Sequence, residues 1–232
     1  MNKKDFHNEE FHSVENEISE WLELELTPEK RITKGSNNFS IPQLKGWLAL
    51  GKPLFNKINF SSDSIDQENF DFFHVLLAVS FRPEEGKYFD KVWVQVELKT
   101  DDSKKEAIAW SMHPNKEATR IDITQKVGVN GKACLKWLSS ETKTEKESKL
   151  TEQEYYLVAY NEMCSNPVWE FIKTKQVPIL GSHRLHLVIR KETGINVFVS
   201  VSVIATVNYK RFGLFTYKST IKDTPTLSFD IK

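Results

Sequence analysis

The feature that most constrains this chain is a long alternation of apolar and polar residues near its C-terminal end. Between residues 196 and 209, every second position is apolar or aromatic: Val197, Val199, Val201, Val203, Ala205, Val207 and Tyr209. The intervening positions are partly serine, threonine and asparagine. A period of two places successive side chains on opposite faces of an extended strand. The pattern therefore predicts a β-strand with one buried face.

Similar β-rich runs recur along the chain and are separated by turn residues. They cover residues 70–81, 92–98, 107–112, 118–124, 155–160, 168–172, 183–190 and 227–231. Strands do not alternate with long amphipathic helices, which disfavours a doubly wound α/β fold. Many short strands joined by turns predict a mainly β chain. We expect an antiparallel β-sandwich of the Ig-like or jelly-roll-like kind.

Two adjacent pairs of runs predict β-hairpins. The run 70–81 is followed by the turn residues 83–86 and then by the run 92–98. The run 183–190 is followed by a turn that ends at Gly194 and then by the long alternating strand. Consecutive strands with a turn between them commonly pair in one sheet. We therefore expect an antiparallel hairpin in each case.

Two polar stretches divide the chain into regions. Residues 1–16 are polar and predict a short arm, either helical or extended. Residues 139–153, SSETKTEKESKLTEQ, contain almost no apolar residue, which is typical of a charged loop or linker. The regions between and after them, 17–138 and 154–232, are then β regions. They form either two packed β sub-domains or one continuous domain, 17–232.

Composition restricts the partners and the compartment. The 32 Lys+Arg residues balance the 32 Asp+Glu residues, so we expect no extended nucleic-acid surface. No apolar window of about 18 residues predicts a transmembrane segment, and the N-terminus lacks the apolar stretch of a signal peptide. The two cysteines, Cys134 and Cys164, are too few for a disulfide framework. These features predict a cytoplasmic protein with reduced thiols.

One short motif suggests catalysis. Glu97-Leu98-Lys99 resembles the Glu-x-Lys end of the PD-(D/E)xK core of metal-dependent nucleases. That resemblance implies Asp90 and Glu97 as ligands of Mg²⁺ and Lys99 as the residue that stabilises phosphate charge. The motif is common, and the helices that flank such a core are not visible in the sequence. A half-exposed strand is the simpler interpretation of the same residues.

Other catalytic and metal-binding patterns do not converge. A zinc site needs three or four ligands, whereas His183 and His186 would point to opposite faces of one strand. His7 and His12 lie in the polar arm. The sequence contains no Cys-x-x-Cys pair, no Gly-x-Ser-x-Gly elbow and no phosphate-binding P-loop. We therefore expect no cofactor and no enzymatic activity.

The aromatic residues favour a binding role. Exposed aromatic and arginine side chains supply most of the energy of protein interfaces. The candidate binding residues are Trp93, Tyr209, Arg211, Phe212, Phe215 and Tyr217. The sequence thus predicts a non-enzymatic binding, regulatory or assembly module that contacts another protein in a cytoplasmic complex, with its oligomeric state open.

Three alternatives to this function stay open. The first is the metal-dependent nuclease that uses Asp90, Glu97 and Lys99. The second is a pore-forming protein, because residues 183–209 would form an amphipathic hairpin of the kind that lines pores. The third is a carbohydrate-binding module that stacks sugars on a surface tryptophan.

Overall fold

The fold is built almost entirely from β-strands. It is seen in a computed structural model that describes residues 20–28, 44–60, 68–126, 147–209, 213–220 and 227–231. These ranges contain thirteen strands and no helix. The strands are β1 (Trp21–Pro28), β2 (Leu44–Gly51), β3 (Leu54–Ile58), β4 (Phe70–Phe81), β5 (Tyr88–Thr100), β6 (Ala107–His113), β7 (Lys116–Lys126), β8 (Glu147–Tyr160), β9 (Val168–Ile172), β10 (Gly181–Glu192), β11 (Val197–Tyr209), β12 (Gly213–Thr220) and β13 (Leu227–Ile231).

The strands form two antiparallel layers that pack face to face. The hydrogen-bonded order is β6-β10-β4-β2-β1-β12-β11-β5-β9-β8-β7, with β3 added to β4 and β13 added to β11. The path bends back on itself, so that β4 and β10 lie over β5, β9 and β11. Phe81 on β4 meets Phe171 on β9 across this gap, with ring centroids 4.9 Å apart. The predicted antiparallel β-sandwich is confirmed.

One hydrophobic cluster fills the space between the layers. The alternating face of β11 is buried to 1% exposure or less from Val197 to Val207. Val92, Val94 and Val96 of the neighbouring β5 are equally buried. Burial of each such side chain stabilises the fold by about 1.5 kcal/mol or more. The period of two in the sequence therefore marks the core face of this strand correctly.

The two predicted hairpins are wrong. Strand β4 pairs with β10, and β5 pairs with β11, but neither β4 and β5 nor β10 and β11 pair with each other. The connections 82–87 and 193–196 instead carry the chain from one layer to the other. The alternation is the same for strands that pair and for strands that pack face to face, so it does not distinguish the two arrangements. The pore-forming alternative was based on the second of these hairpins.

The charged stretch 139–153 is only partly a loop. Its residues 147–153 belong to β8, which pairs with β7, while residues 139–146 lie outside the described ranges. The predicted arm 1–16 also lies outside them. Strand β5, from the predicted N-terminal region, runs between β9 and β11 of the C-terminal region. The two regions share one hydrophobic cluster, and the domain boundaries stay a prediction.

A lysine is buried at the end of β10 where the chain crosses between layers. Lys191 is 2% exposed, and its Nζ lies 3.3 Å from Asp71 Oδ2 and donates to the Ile195 carbonyl at 2.7 Å. Asp71 also pairs with Lys57 at 2.6 Å. Burial alone would raise the pKa of the Asp71 carboxyl, but the two lysines outweigh it and lower the pKa below its usual value.

Candidate interface and the predicted site residues

The most distinctive part of the surface is a ribbon formed by β7 and β8. The two strands pair from Lys116 opposite Val158 to Lys126 opposite Glu147. Strand β8 pairs with β9 only over residues 157–160, and β7 ends the hydrogen-bonded path. Within the described ranges, residues 118–126 and 147–155 therefore form a two-stranded ribbon that no third strand flanks. We call this segment the β7–β8 ribbon.

The base of the ribbon is anchored firmly in the sandwich. Leu157 and Trp169 are buried, and the Trp169 indole donates to the Pro114 carbonyl at 3.1 Å. The Ala159 amide donates to the Asn115 carbonyl at 2.7 Å. These contacts hold the point at which the chain turns from β6 into β7. The sandwich therefore fixes where the ribbon starts.

The sequence of the ribbon gives its two faces different character. The register places Ile121 opposite Glu152 and Ile123 opposite Leu150. Paired residues of antiparallel strands share a face, so these four positions lie on one face. The neighbouring pairs, such as Asp122 opposite Thr151, are polar and belong to the other face. One face is thus polar apart from Ala118 and Tyr155, and the other is mixed.

The predicted binding residue Trp93 lies on the outer face of β5 and is half-buried. It is opposite Ile204 on β11 and Glu170 on β9, and Lys91 Nζ is 5.8 Å from its ring. Glu170 accepts hydrogen bonds from Lys91 and from the Tyr160 hydroxyl, each at 2.9 Å. The bond to Glu170, together with burial, raises the pKa of Tyr160. Trp93 is therefore part of an ordered polar surface.

The other predicted binding residues lie at or beyond the end of β11. Tyr209 is the last residue of β11, and the register places Phe215 opposite Val207 and Tyr217 opposite Ala205. Arg211 and Phe212 lie outside the described ranges. Their role in binding stays a prediction.

The three candidate nuclease residues do not converge on one site. Lys99 and Glu97 form an exposed ion pair at 3.0 Å. Asp90 lies seven residues earlier on the same strand, roughly 23 Å away at about 3.3 Å per residue. It is the extra residue of a bulge, because Phe89 pairs with Val207 and Lys91 with Thr206. Among the described residues, no group of three His, Cys, Asp or Glu side chains is arranged to hold a metal ion.

The histidines form contacts that sequence reasoning missed. His186 on the outer face of β10 stacks on His74 of β4, with ring centroids 5.3 Å apart and 3.1 Å between His74 Nε2 and His186 Nδ1. His113 of β6 is opposite His186 in the register. His183 is half-buried and packs against Phe81 and Phe171. The pairing of β10 with β4 and β6 creates this cluster, and no local pattern marks it.

Acid should weaken the fold through His74. Burial lowers the pKa of His74 from its usual value near 6.5 to about 4. The unfolded chain therefore binds a proton at a higher pH than the folded chain, and stability falls as the pH drops from about 7 to 4. The full loss is about 3 kcal/mol. Urea unfolding at several pH values measures how the free energy of unfolding depends on pH. His74→Gln should reduce that slope by the amount that corresponds to about one bound proton. An equal slope in both proteins would contradict it.

Comparisons with known proteins identify no family for this chain. No protein-family model matches the chain, and no curated protein matches it. One solved structure, titled "Pore forming protein", is similar at 10% sequence identity, over 78% of this chain and 90% of that chain, with a TM-score of 0.30. A likeness at that score supports no inference about function. None of the described segments forms an apolar helix long enough to span a membrane.

Proposed function

We propose that this chain is a non-enzymatic assembly module whose copies bind one another through the β7–β8 ribbon. The observation that carries the proposal is the ribbon itself, which has two strand edges and no third strand in the described ranges. A two-stranded ribbon is marginally stable in water, and unpaired backbone N–H and C=O groups at strand edges readily accept another strand. Addition of a strand from a second copy would therefore provide hydrogen-bond partners for these backbone groups.

The two edges suit each other. One edge belongs to β7 and the other to β8, so contact between different edges joins copies head to tail. Strand β7 carries three basic and two acidic residues, while residues 147–155 of β8 carry three acidic residues and one basic residue. Unlike charges on neighbouring strands stabilise pairing, and like charges oppose it. This favours β7 of one copy beside β8 of the next.

The partner in this proposal is a second copy of the chain, in a cytoplasmic complex. Two cysteines in 232 residues, too few for a disulfide framework, support that compartment. The enzymatic alternative lacks a site in the described residues, since Asp90 lies far from Glu97. The carbohydrate-binding alternative is not favoured at Trp93, which is half-buried in an ordered polar surface. Contact between protein chains is thus the role that the geometry supports best.

Cysteine cross-linking tests which edges meet. In a Cys134→Ser, Cys164→Ser background, Ala118→Cys labels β7 and Gln153→Cys labels β8, at two exposed positions on one face of the ribbon. We expect a short bis-maleimide to join the two variants when they are mixed. One variant carries a mass tag, so that the mixed dimer is distinguished from a dimer of one variant. Each variant alone should give little dimer, because equal edges do not meet in a head-to-tail contact.

Light scattering after size-exclusion chromatography provides the second measurement. The wild-type chain should show mass that increases with concentration, and a variant in which a short turn replaces residues 119–154 should be monomeric. Phe198→Ala, which removes an exposed side chain elsewhere, is the matched control and should behave like wild type. A wild-type chain that stays monomeric, or a shortened variant that still assembles, would overturn the proposal. Cross-linking of Ala118→Cys with itself would overturn its head-to-tail form.

A further inference from the structure

A cleft of about 790 Å³ opens where β6 turns into β7. It lies between that turn, the first half of β10, the anchored part of β8 and the start of β1. Its size is within the range of cavities that hold small organic ligands. The lining residues that matter for its chemistry are Trp21, His113, Glu117, His183, Arg184 and His186.

The cleft includes an open edge of the sandwich. Strand β6 pairs with β10 only over residues 186–191, whereas β4 pairs with β10 along its whole length. Residues 181–185 of β10 therefore have a strand partner on one edge only, within the described ranges. Ser182, His183 and Arg184 of this segment line the cleft. Polar backbone groups along an edge of this kind favour a polar ligand over a purely apolar one.

The hydrogen-bond donors of the cleft favour an anion. Arg184 is a permanent cation with five N–H donors, and three imidazoles lie around the same space. The acidic lining residue, Glu117, accepts a hydrogen bond from the Tyr156 hydroxyl. This bond adds to the effect of burial in raising the pKa of Tyr156. An imidazole N–H can donate a hydrogen bond to an anion in either protonation state. Carboxylate and phosphate groups suit the planar guanidinium of Arg184.

One histidine is held in place by the fold. The Nδ1 atom of His186 is 3.1 Å from Nε2 of the buried His74, and the two rings are nearly parallel, at 6°. This contact fixes the ring plane of His186. His113 lies beside it, with ring centroids 6.1 Å apart. A site with oriented donors loses less entropy when a ligand binds.

The walls of the cleft provide apolar surface as well. Trp21 is 36% exposed, and Arg82 lies 5.9 Å from the centroid of its ring. Leu157 and Pro114 contribute further apolar lining. Indole faces stack well on flat rings.

We propose that this cleft binds a small organic anion, a carboxylate or phosphate attached to a flat apolar ring. The acid group contacts Arg184, His113 and His186, and the ring packs against Trp21. This binding site is separate from the β7–β8 ribbon and does not depend on the proposed assembly.

Nuclear magnetic resonance of the histidine rings in the full chain tests the site directly. The chain contains six histidines, and three of them line the cleft. Benzoate should shift the ring signals of His113, His183 and His186. Benzamide, which is neutral and of similar shape, should bind at least about tenfold more weakly, because it lacks the charge-assisted hydrogen bonds. Phenyl phosphate replaces the carboxylate by a phosphate, and acetate lacks the ring.

Two variants separate the acid group from the ring. Arg184→Met should weaken benzoate roughly tenfold or more. Arg190→Met removes a cation from the same strand outside the cleft and should leave benzoate binding unchanged. Trp21→Leu should reduce the preference for benzoate over acetate while it leaves acetate binding similar. Circular dichroism confirms that each variant is folded.

No shift with benzoate or phenyl phosphate, equal binding of benzoate and benzamide, or an Arg184→Met variant that binds like wild type would each overturn the proposal.

Discussion

Replacing Phe81 with alanine is expected to destabilise the protein by about 3–5 kcal/mol. Phe81 is 1% exposed and is the point where the two layers meet. Its ring lies 4.9 Å from Phe171, 5.9 Å from Phe89 and 5.5 Å from His183, measured between centroids. Alanine would remove these contacts and leave a cavity that the surrounding strands cannot close. Equilibrium unfolding in urea measures the loss.

Phe55→Ala is the matched control, because it removes the same side chain from a surface position. Phe55 is 45% exposed on β3, so we expect a change within about 0.5 kcal/mol. Phe81→Leu should cost less than Phe81→Ala, since it refills part of the space. If Phe81→Ala cost no more than Phe55→Ala, the two layers would not pack on this residue as described.

Replacing Asp71 with asparagine is expected to cost about 3–5 kcal/mol. The substitution keeps the shape of the side chain but removes the charge that balances Lys191, whose side chain is 3% exposed. A buried ammonium without its carboxylate is strongly unfavourable. The bond from Lys191 to the Ile195 carbonyl remains and does not supply a negative charge. Urea unfolding at neutral pH measures the difference in the free energy of unfolding.

Lys191→Met is the informative counterpart. It removes the buried charge itself and replaces it with an apolar chain of similar length, while Asp71 keeps its contact with the partly exposed Lys57. Such replacements are often nearly neutral, so Lys191→Met should cost clearly less than Asp71→Asn. The reverse order would show that the lysine contributes mainly through its hydrogen bonds.

The same pair determines part of the acid sensitivity. The folded-state pKa of Asp71 lies below its usual value, so the stabilisation is present above the usual carboxyl pKa. It is lost as the pH falls through the folded value. This loss comes at a lower pH than the loss due to His74, because His74 of the unfolded chain begins to bind protons near its usual pKa of about 6.5. Asp71→Asn should therefore reduce the pH dependence of the free energy of unfolding at the lowest pH values. His74→Gln should reduce it between about pH 7 and pH 4.

Most strands could be predicted from the sequence because burial on one face leaves a local pattern. The alternation of β11 and of residues 92–98 in β5 identified their core faces correctly. The mixed composition of β8 hid its first residues, since 147–153 have few apolar side chains and read as a linker. The register alone defines this part of the ribbon, and its polar sequence resembles that of a loop.

The candidate sites could not be predicted in the same way. His74 and His186 are 112 residues apart in sequence and meet only because β4 and β10 pair. Asp90 and Glu97 are close in sequence, yet the extended strand keeps them apart. Residues that are close in sequence therefore formed a motif but no site. The cleft depends on strand pairing between distant residues, and no sequence motif marks it.

The sequence by itself determined the secondary structure class, the buried face of the long strand and the balance of charge. These depend on residues a few positions apart, whose side chains alternate across an extended backbone. Only the tertiary structure decided which strands are neighbours. Whether a chain turns back in one sheet or crosses to the opposite layer depends on contacts between distant residues, such as Phe81 with Phe171. Those contacts place the ribbon and assemble the cleft.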